Sequence, residues 1–284
     1  MIGRKPNKLI MIGTYVTLTL ITAITLYPVA LVLKKAFSPG TGFALSPSPV
    51  PTEISLEHFR ALLSARGADG DLLFLRYAFN SALVALATTI VGVGLSCTAA
   101  YALSRRQFAG RKLSLTSFLV VQMFPATLLI MPLYVVLNKL GLLNSLVGLV
   151  LIYATTAIPF CVWTLKGYFD TLPKELEEAA RIDGASHWGV FFKIVLPLAK
   201  PGIAVTALFS FMTAWNEFIL ASTFMTSENS YTLPVLLQSS VHEYGANWGM
   251  FAAGAILTSL PVMILFYVLQ KYLVGGLTAG SVKG

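Results

Sequence analysis

The stretch EEAARIDGASHWGVFFKIVLPLAKPG, residues 177–202, is the most charged and most patterned part of a chain that is otherwise nearly all apolar. Upstream of it, Thr171 reads as an N-cap and Pro173 falls near the first helical turn, followed by acids at 175, 177 and 178. Acids there are favoured by the positive N-terminal end of a helix dipole. Asp183-Gly184 ends that helix, because glycine accepts the left-handed conformation of a helix stop. Ser186 can cap a second helix. Trp188, Phe191, Phe192 and Val195 are spaced i, i+3, i+4, i+7 and make one apolar face. Pro197 and Pro201 then break the chain. The pattern predicts helix, sharp turn, helix. Two readings stand beside each other. One is an interfacial helix that seals a membrane bundle. The other is a docking knob for a soluble partner, with Ala179 and Ala180 small enough to let a second surface approach.

Working outward, the chain has 284 residues, of which 56% are hydrophobic and 11% charged, and its mean hydropathy is +0.76. Soluble domains carry roughly 25% charged residues, so the composition points to an integral membrane protein. The net charge of +8 fits cytoplasmic loops held inside by Lys and Arg. It does not point to nucleic acid, since no basic run is interleaved with aromatics. Cys97 and Cys161 both fall in apolar segments and read as buried small hydrophobes.

A helix needs about 20 apolar residues to cross the hydrocarbon core. Charge-free gaps run over 9–33, 77–104, 113–138, 140–165 and 244–270, and 201–227 holds one charge, Glu217. That predicts six transmembrane helices in an all-α integral membrane protein, with Pro125, Pro132 and Pro159 tolerated where neighbouring helices cover the breaks. The basic prelude Arg4, Lys5 and Lys8 resembles a signal peptide. The apolar stretch after it is too long and lacks a small-residue cleavage site, so it reads as an uncleaved first span. With the N-terminus inside, 14 of the 20 Lys and Arg fall inside and 6 outside, which gives N- and C-termini cytoplasmic. The expected divisions are 1–76 (first helix and outside loop), 77–275 (five-helix core with an inside loop over 170–200) and 276–284 (cytoplasmic tail). Within the outside loop, SLEHFRALL (55–63) reads as a short helix capped by Ser55.

An ionisable residue inside a span is a functional candidate. Asn216 and Glu217, with Gln122 in the third span, read either as lining of a translocation path or as helix-to-helix hydrogen bonds that brace it. His58 and His242 read as ordinary loop residues, and His187 sits in the knob. No spacing of His, Cys or acids suggests a metal site, and no Gly-rich phosphate loop is present.

Glu178-Ala179-Ala180, then Gly184, Ile194, Leu196 and Pro197, resemble the EAA motif of permease subunits of bacterial ABC importers. The segments VQMFPA (121–126), WTLKGYFD (163–170) and YTLPVLLQ (231–238) are similar to the carbohydrate branch. So is AYALSRRQFAGRK (100–112), though Ala109 stands where Pro is usual. The terminus GLTAGSVKG (276–284) resembles the MalG-like, maltose/maltodextrin group. The resemblance runs from about residue 79 to the end. It implies the type I ABC importer (MetI-like) permease fold in a multi-pass bacterial inner membrane protein, surrounded by lipid. It implies a homologous second permease (MalF-like), an ATPase dimer (MalK-like) and an extracytoplasmic sugar-binding protein as partners. This chain would bind no cofactor and catalyse nothing; ATP and Mg would be used by the partner ATPase. Glu178, Ala179, Ala180, Arg181, Asp183, Gly184 and Ala185 would form the coupling loop. Thr278, Gly280 and Lys283 would reach the ATPase interface. The outside loop 226–243 would meet the binding protein. A secondary transporter or channel is the competing reading. Only one acid lies within a span, however, with no second acid paired to it for a proton relay, and no His/Asp/Glu cluster supports an embedded enzyme.

Overall fold

A computed structural model describes residues 8–42, 48–242 and 245–281. Arg4, Lys5, Glu243, Tyr244 and Lys283 lie outside the described residues. Two compact units appear. One comprises residues up to 74 together with 237–259; the other comprises 75–236 together with 260 onward.

In the first unit, α1 (Lys8–Phe37) is a 30-residue apolar helix whose membrane-length window is entirely unburied. Its threonines are accommodated within the helix. The hydroxyls of Thr14, Thr17, Thr22 and Thr25 each donate to the carbonyl four residues back, at 2.8–2.9 Å. That satisfies them where no water is available. At the end of α1, Ala36 packs on Ala252 and Ala253 of α13 (Trp248–Ser281), and the Phe37 and Phe59 rings lie 5.0 Å apart. The expected short outside helix is α2 (Glu57–Ser64), but Ser55 is not its N-cap: Leu56 holds that position without a side-chain cap, and the Ser55 hydroxyl accepts from the Glu57 amide at 3.2 Å from one residue further out. His58 is not an ordinary loop residue. It is buried on α2, its Nε2 lies 3.0 Å from the Ser38 carbonyl, and Gly249 leaves room for its ring. A two-residue hairpin, β1 (Val241–His242) with β2 (Gly245–Ala246), precedes α13.

The second unit is built on α3 (Leu73–Arg105), α6 (Leu146–Thr171) and α10 (Lys200–Trp215). Along α3 the buried side is lined by Ser81, Ala85, Thr88, Ser96 and Ala100. Side chains this small let helix backbones come close, as packing in lipid requires. A Cβ on Gly92 would lie 3.8 Å from the Ser210 hydroxyl of α10 and 3.9 Å from Ala157 of α6. At Gly202 a Cβ would collide with the Tyr168 ring, so α10 starts against the end of α6. Cys97 and Cys161 are buried free thiols in the core between these helices.

Among the described residues four helices are long and apolar enough to span a membrane, and six spans result if each of two bent pairs counts as one: Arg111–Met123 with Thr127–Lys139, and His187–Leu198 with Lys200–Trp215, bent by 75°. The third expected span is one of these. It is split into α4 (Arg111–Met123), a 3-10 turn (Ala126–Leu129) and α5 (Ile130–Lys139), bent by 93°. Phe124 is extended there because Pro125 disfavours a helical residue before it and offers no amide hydrogen. The fifth, expected over 201–227, is also interrupted. α10 stops at Trp215 and the chain resumes as α11 (Ile219–Phe224). Sixteen residues rise about 24 Å, less than the ~30 Å core, so α10 alone falls short of a full crossing. Past it, a 3-10 turn (Glu228–Ser230) leads to α12 (Leu233–Ser239).

Candidate functional site

The decisive stretch folds into α7 (Glu175–Ile182), α8 (His187–Val190), a π-helical turn (Phe191–Val195) and α9 (Leu196–Leu198). Thr171 does not cap α7. It is the last residue of α6, and its hydroxyl donates to the Tyr168 carbonyl at 2.7 Å. Nothing stops α6 until Pro173 forces Leu172 into an extended conformation, so α7 starts at Glu175 without a side-chain cap.

The stop is the one the sequence predicts. Gly184 has φ +87. Its amide donates to the Arg181 carbonyl at 3.0 Å, and the Ala185 amide donates to the Ala180 carbonyl at 2.9 Å. These two bonds close a Schellman motif, which only a residue tolerant of positive φ permits without strain. The Ser186 hydroxyl then accepts from the Gly189 amide at 3.1 Å and caps α8.

The apolar face differs from the 3.6-residue expectation. Phe191 and Val195 are buried, but Trp188 and Phe192 are 65% and 57% exposed, and Val190 is buried instead. A π turn follows over Phe191–Val195, so a 3.6-residue period does not continue through the segment. Val190, Phe191, Val195 and Ala199 join one core with Val93, Cys97, Ala100 and Leu103 of α3 and Ala157, Cys161, Leu165 and Phe169 of α6. The rings of Trp188 and Phe192 stack on each other at 5.8 Å, outside that core.

Of the predicted docking residues, Glu178, Ala179, Arg181, Asp183 and Gly184 are exposed, while Ala180 and Ala185 are half-buried. Ile182 stands 86% exposed beside them. An apolar side chain that far out at a helix end has no packing role within this chain. A groove of ≈ 380 Å³ lies next to α8, lined by Tyr101, Arg106, His187 and Trp188 among others.

Glu177, the residue before the EAA glutamate, is 3% exposed. Its Oε1 accepts from Arg105 Nε at 2.6 Å, and its Oε2 accepts from the Tyr101 hydroxyl at 2.7 Å. Arg181 Nη2 lies 3.6 Å from Oε2. Arg105 also donates to the Leu172 carbonyl at 3.1 Å and to the Ser104 hydroxyl at 3.0 Å. Ser104 donates to Asp170 at 2.6 Å, and Lys166 pairs with Asp170 at 2.5 Å. One polar network thus joins the ends of α3, α6 and α7. No spacing rule exposes this pairing, since Arg105 and Glu177 lie 72 residues apart.

The span residues are not brought together. Gln122 is exposed on α4 and shares no hydrogen bond with Asn216 or Glu217 among the described residues. Asn216 donates to the Met212 carbonyl at 2.9 Å. Glu217 fills the interruption of the fifth span. Its carboxylate accepts from the Leu220 and Ala221 amides at 2.8 and 3.0 Å and from the Tyr153 hydroxyl at 2.5 Å. It therefore caps α11 and ties it to α6. Thr278 and Gly280 fall within the last turns of α13, and Lys283 lies outside the described residues.

These features define a multi-pass α-helical membrane protein with a structured, partly exposed helical element between α6 and α10. The chain belongs to the family of binding-protein-dependent transport system inner membrane components, whose profile matches residues 90–278. It is 39% identical to the maltodextrin transport system permease protein MdxG of Bacillus subtilis over 99% of this chain and 98% of that one. It is 38% identical to the maltose/maltodextrin transport system permease protein MalG of Yersinia pestis, covering 100% and 97%. It is 39% identical to the galactooligosaccharides transport system permease protein GanQ of Bacillus subtilis, covering 95% of each. Its fold is similar to a chain of a bacterial ABC transporter that imports the acidic polysaccharide alginate, with a TM-score of 0.77 over 96% and 99% of the two chains at 23% identity.

Proposed function

We propose that the chain is a permease subunit of an ATP-driven, binding-protein-dependent importer of maltose/maltodextrin-type oligosaccharides. It forms the translocation path with a second, homologous permease. An ATPase dimer sits on the cytoplasmic side and uses ATP and Mg, and an extracytoplasmic sugar-binding protein delivers the sugar. The observation that carries this reading is the exposed α7 face. Glu178, Ala179, Ile182 and Asp183 surround a Gly184 stop on a helix anchored from behind by Glu177. A small, mixed-charge knob with one protruding apolar residue suits a cleft in a soluble subunit. Closure of the ATPase dimer then moves the knob and switches the path between two states. The tail residues Thr278, Gly280 and Lys283 are proposed contacts with the same subunit, and the outside loop 226–243 is the proposed contact with the binding protein. Glu217 acts as a brace that holds the broken fifth span to α6.

The maltodextrin assignment rests on full-length relatives at 38–39% identity. Galactooligosaccharides are the second reading, because a relative named for them is equally identical over 95% of the chain. The test is purification of the tagged chain in mild detergent with mass spectrometry of what accompanies it, followed by uptake assays with both sugar classes. A stoichiometric ATPase and a second permease are expected. A chain that purifies alone, or a Gly184→Asp variant that transports normally, contradicts the coupling reading.

A further inference from the structure

We propose that Glu177, buried against Arg105 and Tyr101, is the positioning residue through which movement of α7 is passed to α3. The inference rests on the coupling reading and deepens it. α7 follows α6 through a short link, residues 172–174, so any displacement of the knob reaches α6 along the backbone. α3 has no such connection. Two kinds of contact join it to the knob. The first is apolar: Val190, Phe191 and Val195 against Val93, Cys97, Ala100 and Leu103. Apolar burial is non-directional, so these surfaces can slide without losing contact. The second is the Glu177 pair. Its side chains are only 8% and 4% exposed, and both carboxylate oxygens are engaged, by Arg105 at 2.6 Å and Tyr101 at 2.7 Å.

A buried carboxylate that lost these partners would keep only Arg181, a more exposed side chain on its own helix at 3.6 Å, so parting from Arg105 is costly and the pair stays together when the knob moves. Charge-assisted bonds at these distances are also directional. Arg105 extends the grip, since it holds the Leu172 carbonyl and Ser104, and Ser104 holds Asp170 on α6. The ends of α3, α6 and α7 therefore move as one body. Glu177 faces inward while its neighbours Glu178 and Ala179 face outward. Docking and transmission thus fall to adjacent residues on opposite sides of one short helix.

The test uses the full complex reconstituted in vesicles, with ATP hydrolysis and sugar uptake measured on the same sample. Two variants are made. Glu177→Gln keeps the shape and removes the charge. Arg105→Met with Glu177→Leu removes both charges and fills the space with apolar atoms, an exchange that leaves buried pairs folded. In each, the ATPase remains bound and hydrolysis stays within about twofold, while sugar moved per ATP falls: about tenfold or more in the double variant, where the directional tie is replaced by a contact that slips, and less in Glu177→Gln, whose neutral amide still accepts from Arg105. If Glu177→Gln does not assemble, the double variant decides. Unchanged sugar per ATP in an assembled variant overturns the proposal, and so does a proportional fall of hydrolysis and uptake together. Gly184→Asp serves as the control. If it leaves ATPase association and transport intact, the coupling reading itself fails, whatever Glu177 does.

Discussion

The two ends of the second unit are tied by different chemistry. At the basic end, the tie is a buried side-chain network of Glu177, Arg105, Tyr101, Ser104 and Asp170. At the opposite end, the outer loop is held mostly by uncharged amides and backbone groups. Asn144 adopts φ 56, and its Oδ1 accepts from the Thr226 and Ser227 amides at 2.6 and 2.9 Å. Asn80 donates to the Asn229 and Tyr231 carbonyls at 3.0 and 2.9 Å, and the Ser81 hydroxyl accepts from the Leu233 amide at 2.8 Å. Arg76 adds one bond to the Asn229 side chain at 2.6 Å. The Asn144 bonds are exposed, and neutral bonds of that kind exchange with water at a net cost of about 1 kcal/mol each, whereas Asn80 and Ser81 are buried. A buried ion pair does not exchange so cheaply. The exposed part of the outer clasp, at Asn144, is therefore easier to release than the inner pair.

The largest expected effect breaks the inner tie. Glu177→Ala leaves the Arg105 guanidinium buried and unpaired, which costs about 3–5 kcal/mol. Thermal unfolding of the purified chain in detergent measures it. Arg105→Ala together with Glu177→Ala is expected to cost less than the sum of the single changes, because the double variant strands no charge. Additive losses would show that the pair does not act as a unit. Gly202→Val probes the same end through packing alone. Its side chain would collide with the Tyr168 ring, and overpacking of this kind costs about 1–3 kcal/mol. Unlike Glu177→Ala, its cost is expected to be unrelieved by any change at Arg105.

How much of this was legible differs between the two kinds of tie. Apolar runs without charge place the helices, because a lipid-facing backbone must bond within its own segment. The Gly184 stop and the Ser186 cap are equally local, since each is decided by residues within a few positions. The breaks were harder. Pro125 ends α4, whereas Pro28, Pro159 and Pro261 sit inside continuous helices. The sequence alone does not separate the two outcomes, because neighbouring packing decides them. Glu217 drew attention as a lone acid in a span, and the helix it caps became visible only with the break at Asn216. Glu177 looked like one of three ordinary acids in a first turn; its partners come from a helix 72 residues earlier. Val190 is buried and Trp188 exposed on α8, and the π turn that follows over Phe191–Val195 breaks any fixed period through the segment.

The outer clasp gives a smaller and more selective effect. Asn144→Ala removes the side-chain acceptor and places a Cβ residue at positive φ without the local bonding that lets Asn tolerate it. The expected loss is about 1–2 kcal/mol. Asn144→Gly separates the two contributions, since it relieves the backbone but still loses the bonds to Thr226 and Ser227. It is expected to recover roughly half of the loss. Equal stability of both variants would place the whole effect in the side-chain bonds.

The smallest effect tests the knob's turn without touching either tie. A Cβ at Gly184 meets nothing within 4 Å, so substitution there acts through backbone strain alone. Gly184→Ala is expected to cost about 1 kcal/mol and Gly184→Asn only a few tenths, because Asn enters the left-handed region readily. Both should leave the Glu177–Arg105 contact in place, since that contact lies near the other end of α7. The measurement is ATPase retained on the purified permease under increasing salt. If Asn holds the ATPase as glycine does and Ala releases it earlier, the turn's geometry sets docking. If the two release it alike, docking depends on the side-chain-free surface at Gly184, and the φ of that residue is incidental to it.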